Sequence, residues 1–227
     1  MHIPDGFLDP GVAAATGALA ASAVGIGLRR TGTALDERTA PLVGVTGAFV
    51  FAAQMLNFPV AGGTSGHVLG AALAAALLGP WTACVVLAVV LTLQAFVFAD
   101  GGVAALGANV LNMGVVGGLG AGLILAAGRR ALPQTRGALL GTGAVAAWSA
   151  VMLSALACSI ELGVSGTVPL ATVLPAMLGV HALIGAGEAV ITVAALGAVL
   201  ASRPDLIHGW RGTPGVASAH PRPVLGG

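Results

Sequence analysis

Charge is what this chain has least of. Of its 227 residues only 7% are charged and 57% are hydrophobic, with a mean hydropathy of +0.99. A soluble domain carries about a quarter charged residues. So few charges cannot cover a water-facing surface, so the solvent must largely be lipid. Tyrosine is absent and aromatic residues make up only 4%. That leaves a thin interfacial belt, with Trp81, Trp148 and Trp210 as its candidates. Lysine is absent as well: the nine basic residues are all Arg, and the net charge of +1 gives no reason to expect a nucleic-acid partner. The two cysteines, Cys84 and Cys158, lie within apolar runs, which excludes a disulfide framework, and no CxxC or Cys/His cluster suggests zinc. No GxxxxGK[ST] phosphate loop is present, so the chain does not drive ATP hydrolysis by that motif. Residues 1–6 hold no Lys or Arg and do hold Asp5, which is unlike a secretory signal and makes residue 1 the expected mature terminus.

What is abundant is glycine, 36 residues, as in membrane helices packed closely through small side chains. Apolar stretches of spanning length, roughly 17–25 residues, fall at 7–28, 40–60, 66–79, 81–99, 104–128, 138–160 and 172–201. The third is short for a span. Pro/Gly clusters at 59–66, Gly79-Pro80 and Asp100-Gly101-Gly102 separate them. The expected fold is an all-α polytopic membrane protein of about seven helices. Arg29, Arg30 and Arg38, then Arg129, Arg130 and Arg136, then Arg203, Arg211 and Arg222 fall after odd numbers of spans, all on one side. Positive loops stay cytoplasmic, so the amino terminus is expected outside and the carboxyl terminus inside. One domain over 1–206 suffices, followed by a Pro/Gly-rich tail, 207–227, expected to be flexible.

Met1-His2 is the most informative dipeptide. His2 is too large for efficient removal of Met1, so the α-amine stays on Met1 and can lose its proton to bind a metal. The His2 backbone nitrogen lies one five-membered chelate ring away, and His2 Nδ1 closes a six-membered ring. Three nitrogens near one plane favour Cu(II) or Ni(II). Deprotonating an amide disfavours Zn(II) and Mg(II). The plainer use of His2 is exposure at a polar terminus. His67 follows the run Gly62-Gly63-Thr64-Ser65-Gly66, on the same side as Met1, and an imidazole at that depth reads as a functional candidate. Its alternative is a core histidine satisfied by a carbonyl.

Several further polar residues stand in apolar context. Gln94, Asp100, Asn109 and Asn112 lie near the outer ends of the fourth and fifth spans, placed either to orient His67 or to join helices. Thr64 and Ser65 adjoin His67 and belong with the same candidates. Asp5 and Asp100 either attract cations electrostatically or cap helices, and capping is the simpler reading. Glu161, at an outer helix end, reads as solvent-exposed. His181 and Glu188, seven residues apart, share a helix face and read as a structural network. His208 and His220 read as solvated.

Met1-His2-Ile3-Pro4-Asp5-Gly6-Phe7-Leu8, Gly63-Thr64-Ser65-Gly66-His67 and the stretch Gln94-Ala95 to Asn112-Met113 resemble the nickel/cobalt substrate-binding subunits of energy-coupling-factor transporters, the NikM/CbiM type, as far as about Leu206. The resemblance implies a seven-helix bundle. It implies square-planar binding of Ni2+, or Co2+, by the Met1 amine, the His2 amide nitrogen, and the His2 and His67 imidazoles. It also implies partners: a coupling transmembrane subunit, two ATPase subunits and a small accessory membrane protein, in a prokaryotic plasma membrane. A competing reading is a rhomboid-like intramembrane serine protease, with Ser65 of the GxSG-like run as nucleophile and His181 as base. That reading leaves Met1, His2 and His67 without a task.

Overall fold

Helix α1, Pro10–Thr31, opens with local chemistry. Asp9 caps it by accepting from the Gly11 N–H at 2.8 Å, Pro10 occupies its first position, and Arg29 and Arg30 sit in its last turn. Each device suits the end at which it lies. The molecule is a computed structural model that describes residues 1–32, 39–56, 58–60 and 64–212. Arg38, Gly62, Gly63, His220, Arg222 and the tail from 213 on lie outside the described residues, as do the side chains of Thr64 and Ser65.

α2, Ala40–Gln54, is followed by two three-residue strands, β1 Phe58–Val60 and β2 Thr64–Gly66, paired antiparallel with Pro59 opposite Ser65. Helical spans over 40–60 and 66–79 were expected. The chain instead leaves the helix at Gln54 and enters the next only at Ala71. Pro59 supplies no backbone donor and the glycines favour turns. Non-helical backbone inside a membrane protein persists only where it is buried or paired, and the hairpin supplies pairing. α3, Ala71–Leu78, has eight residues, all Ala or Leu, and Ala71 to Ala76 are buried. It is therefore an internal half-length helix, wrapped by others.

Gly79, at φ 82°, turns the chain sharply into α4, Pro80–Val97. After the Asp100 turn comes α5, Leu106–Ala131, one rod whose middle, Val110–Leu119, is wound as a π-helix. α6, Arg136–Val164, is capped by Thr135, and α7, Leu170–Ser202, packs along it as the most extensive helix pair. Among the described residues, α1, α4, α5, α6 and α7 are long and apolar enough to cross a bilayer, and α2 is a shorter apolar helix. Leu19, Phe96, Leu123, Leu183 and Val190 are exposed on the outside of the bundle, as lipid contact requires. The fold is thus helical and multi-pass, with one short antiparallel strand pair among the described residues.

The two ends of the bundle differ in character. Arg30 stacks on Trp81 at 4.7 Å, and Arg129 lies against Gly209, so the basic residues after α1 and α5 meet at one end. There the His208 N–H also donates to the Ala76 carbonyl at 2.9 Å, and Ile207 is buried. Residues 1–8, the Asp100 turn and the α6–α7 connection gather at the other end.

Candidate metal site

The first residues of the chain lie inside the bundle. Met1 and Ile3 are fully buried, and His2 is 4% exposed. Such burial needs partners for the tail's backbone, and Asn109 of α5 supplies them. Its Oδ1 accepts from the Ile3 N–H at 2.8 Å and its Nδ2 donates to the Ile3 carbonyl at 3.1 Å. The amide side chain thereby pairs with the tail as a neighbouring strand would. The Gly102 N–H donates to the same Ile3 carbonyl at 2.8 Å, and Asp5 Oδ1 accepts from the Ala104 N–H at 2.7 Å. A side chain at Gly102 would run into the backbone of Pro4 and Asp5. Thr167, in the α6–α7 connection, donates its hydroxyl to the Phe7 carbonyl.

The tail delivers His2 to His67. Their rings stack with centroids 4.5 Å apart and planes 28° from parallel. Nδ1 of His67 lies 2.9 Å from the Val68 carbonyl. A carbonyl only accepts, so Nδ1 carries the proton and Nε2 is a bare lone pair. That Nε2 is buried, with no hydrogen-bond partner among the described residues. Nε2 of His2 lies 3.1 Å from Oε1 of Gln94, which by the same logic leaves Nδ1 as the lone pair, again buried and unpartnered. Nδ1 of His2 is 3.4 Å from a carboxylate oxygen of Asp100. This is not a formed hydrogen bond: two electron-rich atoms face one another, an arrangement that a cation between them relieves.

The electrostatics agree. Burial lowers the Met1 α-amine to about 5, with Cys158 and Asp100 opposing the shift. Burial, then the nearby terminus, lowers the His2 imidazole to about 4 against the opposing effects of Asp100 and the Gln94 bond. Desolvation disfavours each charged form. At neutral pH the amine and both imidazoles therefore present neutral nitrogen lone pairs, the state a metal ion needs.

The segment after His67 is fixed from below. Glu188 of α7 accepts from the Leu69 N–H at 2.6 Å and the Gly70 N–H at 2.9 Å, and Gln54 of α2 donates to the Leu69 carbonyl at 2.7 Å. Gly70 sits at φ 74° with Val50 against it, a position suited only to glycine. The structure thus brings together Met1, His2, His67, Gln94, Asp100 and Asn109. Thr64 and Ser65 adjoin them through the backbone of β2. Asp5 and Asp100 were expected to cap helices; Asp5 instead holds the tail, and Asp100 stands beside His2.

Some of this escaped sequence reasoning. Glu161 is 8% exposed rather than solvated and accepts from Asn112 Nδ2 at 2.6 Å. Its place one turn from a helix end suggested water, but α5 covers it. Glu188 and Gln54 were missed as supports of the His67 segment. A carboxylate in an apolar span was the available signal; its partners, 118 and 119 residues away, were not.

Apolar helices of spanning length around a buried cluster of nitrogen-bearing groups define a multi-pass membrane protein with a polar site in its interior. The family described as the cobalt uptake substrate-specific transmembrane region, CbiM, matches residues 2–206, and the chain belongs to it. It is 36% identical to the fused nickel transport protein NikMN of Rhodobacter capsulatus, across 91% of this chain and 64% of that longer one. It is 34% identical to the cobalt transport protein CbiM of Sorangium cellulosum, across 91% and 94%. A crystal structure of a truncated transition metal transporter superposes with a TM-score of 0.80 at 32% identity, covering 88% of this chain and 98% of that one. The chain is a component of nickel or cobalt uptake in a prokaryotic membrane and not an enzyme. The protease reading, with Ser65 and His181, finds no support among these proteins.

Proposed function

We propose that the chain captures Ni2+ in a plane of four nitrogens: the Met1 amine, the deprotonated His2 amide, His2 Nδ1 and His67 Nε2. The observation that carries this reading is the pair of buried lone pairs, on Nδ1 of His2 and Nε2 of His67, with no donor among the described residues to satisfy either. A buried sp2 nitrogen without a partner is costly, and a metal ion is the ligand that lone pairs of this kind take. Gln94 and Val68 fix the tautomers, and Asn109 fixes the tail. Planar nitrogen donors favour nickel. Co2+ through the same residues is the second reading, favoured by the cobalt-uptake family and the Sorangium relative.

The arginine-bearing end faces the cytoplasm by the positive-inside rule, so the metal enters from outside. Delivery inward is driven by partners, a coupling membrane subunit and two ATPase subunits, in an energy-coupling-factor transporter. The test is metal content and the visible spectrum of purified protein with its native terminus, offered Ni2+ and Co2+, beside His2→Ala and His67→Ala. One nickel per chain with a yellow d–d band, lost in both variants, is expected. Binding that survives both substitutions would sink the ligand assignment, and cobalt in place of nickel would change the substrate alone.

A further inference from the structure

A third imidazole shares the design of the two candidate ligands. His181 of α7 is fully buried. Its Nδ1 lies 2.7 Å from the Met177 carbonyl one turn earlier, so the proton is on Nδ1 and Nε2 is a bare lone pair. That Nε2, like the lone pairs of His2 and His67, has no hydrogen-bond partner among the described residues. A histidine serving only as packing has no need of a fixed tautomer with an unused lone pair in the dry interior. The imidazole lies close enough to the terminal amine and to His67 for their charges to act on one another. His181 is eleven residues into α7, about 16 Å along its axis from Leu170, and Glu188 lies about 10 Å further along.

α7 also carries Glu188, seven residues further along the same face. Its carboxylate holds the Leu69 and Gly70 N–H groups. The helix that presents His181 is therefore the helix that grips the His67 segment. Any displacement of α7 moves the fourth ligand and the third imidazole together.

We propose that His181 is a transfer ligand: when the ion leaves the nitrogen plane, Nε2 of His181 takes it before it moves inward. This rests on the ligand set proposed above. His181 stays outside the plane while the ion is stored, and the His2 amide recovers its proton from water as the ion departs. Coordination by an imidazole replaces bonds that the ion would otherwise lose in a dry interior, which is where a bare cation is most costly.

The experiment uses native-terminus protein with His181→Ala and His181→Cys. Purified His181→Ala offered Ni2+ should load one ion per chain with the wild-type spectrum. Nickel accumulation by cells expressing it in the native background should fall by about 10-fold or more, the range set by losing one supporting group at a metal site. His181→Cys should store Ni2+ with the wild-type spectrum, since position 181 stays outside the plane while the ion is held, and should recover part of the accumulation lost in His181→Ala, because a thiolate there can take the ion in transit. Normal accumulation by His181→Ala, or no recovery in His181→Cys, overturns the proposal. Loss of the loaded spectrum in His181→Ala overturns it too, since His181 would then support the storage site itself. Wild-type protein that takes up no metal ends both this inference and the reading beneath it. A normally loaded wild type with normal transport in His181→Ala ends this inference alone.

Discussion

Two buried polar networks stand side by side in this bundle, and they end differently. In one, Asn112 of α5 donates to Glu161 of α6 at 2.6 Å, and Ser154 of α6 donates to the Asn112 carbonyl at 2.7 Å. Its donors terminate on oxygens, and the result is two helices tied together. In the other, Gln94, Val68 and Asn109 spend their hydrogen bonds fixing His2, His67 and Ile3, and the network stops at lone pairs with nothing on them. Both networks are buried in the same apolar surroundings. What separates a strut from a site is what is left over: Asn112 leaves a single amide oxygen without a partner among the described residues, whereas the site leaves lone pairs on two stacked imidazoles.

The comparison breaks most sharply at the terminus. One residue added before Met1, or His67→Ala, should abolish stoichiometric nickel binding while helical content by circular dichroism stays unchanged. Gly102→Ala comes next: a methyl group there meets the Pro4–Asp5 backbone, and overpacking of about 1–3 kcal/mol should weaken binding measured by isothermal titration by about 5- to 150-fold, since about 1.4 kcal/mol is tenfold. Gln94→Leu removes the group that sets the His2 tautomer and should cost about 10- to 100-fold in affinity, with little change in melting temperature.

The proton count gives a finer test. In the metal-free protein the amine at about 5 and the His2 imidazole at about 4 are both neutral at pH 7, so binding there releases only the His2 amide proton. A pH-stat should record about one proton per ion. An exposed amine with its ordinary value near 8 would release about two. Affinity should fall as pH drops, more steeply below about 5, where protons compete for the amine. The metal-free fold should also lose stability as pH falls from about 8 towards 5, because the unfolded chain binds a proton there that the folded one refuses. The smallest effect belongs to the strut: Ser154→Ala should cost about 1 kcal/mol of stability and leave nickel affinity unchanged, and a change in affinity would show that the networks are coupled.

Much of the architecture was readable because a bilayer imposes length and apolarity on each crossing. The breaks at Gly79-Pro80 and Asp100-Gly101-Gly102 were readable from turn chemistry, and His2 and His67 from their residue type in a charge-poor chain. The hairpin at 58–66 was not, because Pro and Gly say that a helix ends and not what replaces it. The π-wound stretch of α5 left no mark in the pattern. The grip of Glu188 on Leu69 and Gly70, and the buried lone pair of His181, depend on how α7 is rotated. Three-dimensional packing sets that rotation, and a featureless run of apolar residues does not record it.

The buried tail has a consequence for how the molecule is made. Ile3 meets Asn109 across 106 residues, and Phe7 meets Thr167 across 160. The ribosome delivers the amino-terminal residues first, yet their partners on α5 and in the α6–α7 connection emerge only after most of the chain. Contacts of such long sequence separation form late. Residues 1–8 are therefore seated only once α5 and the α6–α7 connection are in place, and under the ligand set proposed above an incompletely assembled bundle cannot complete the nitrogen plane.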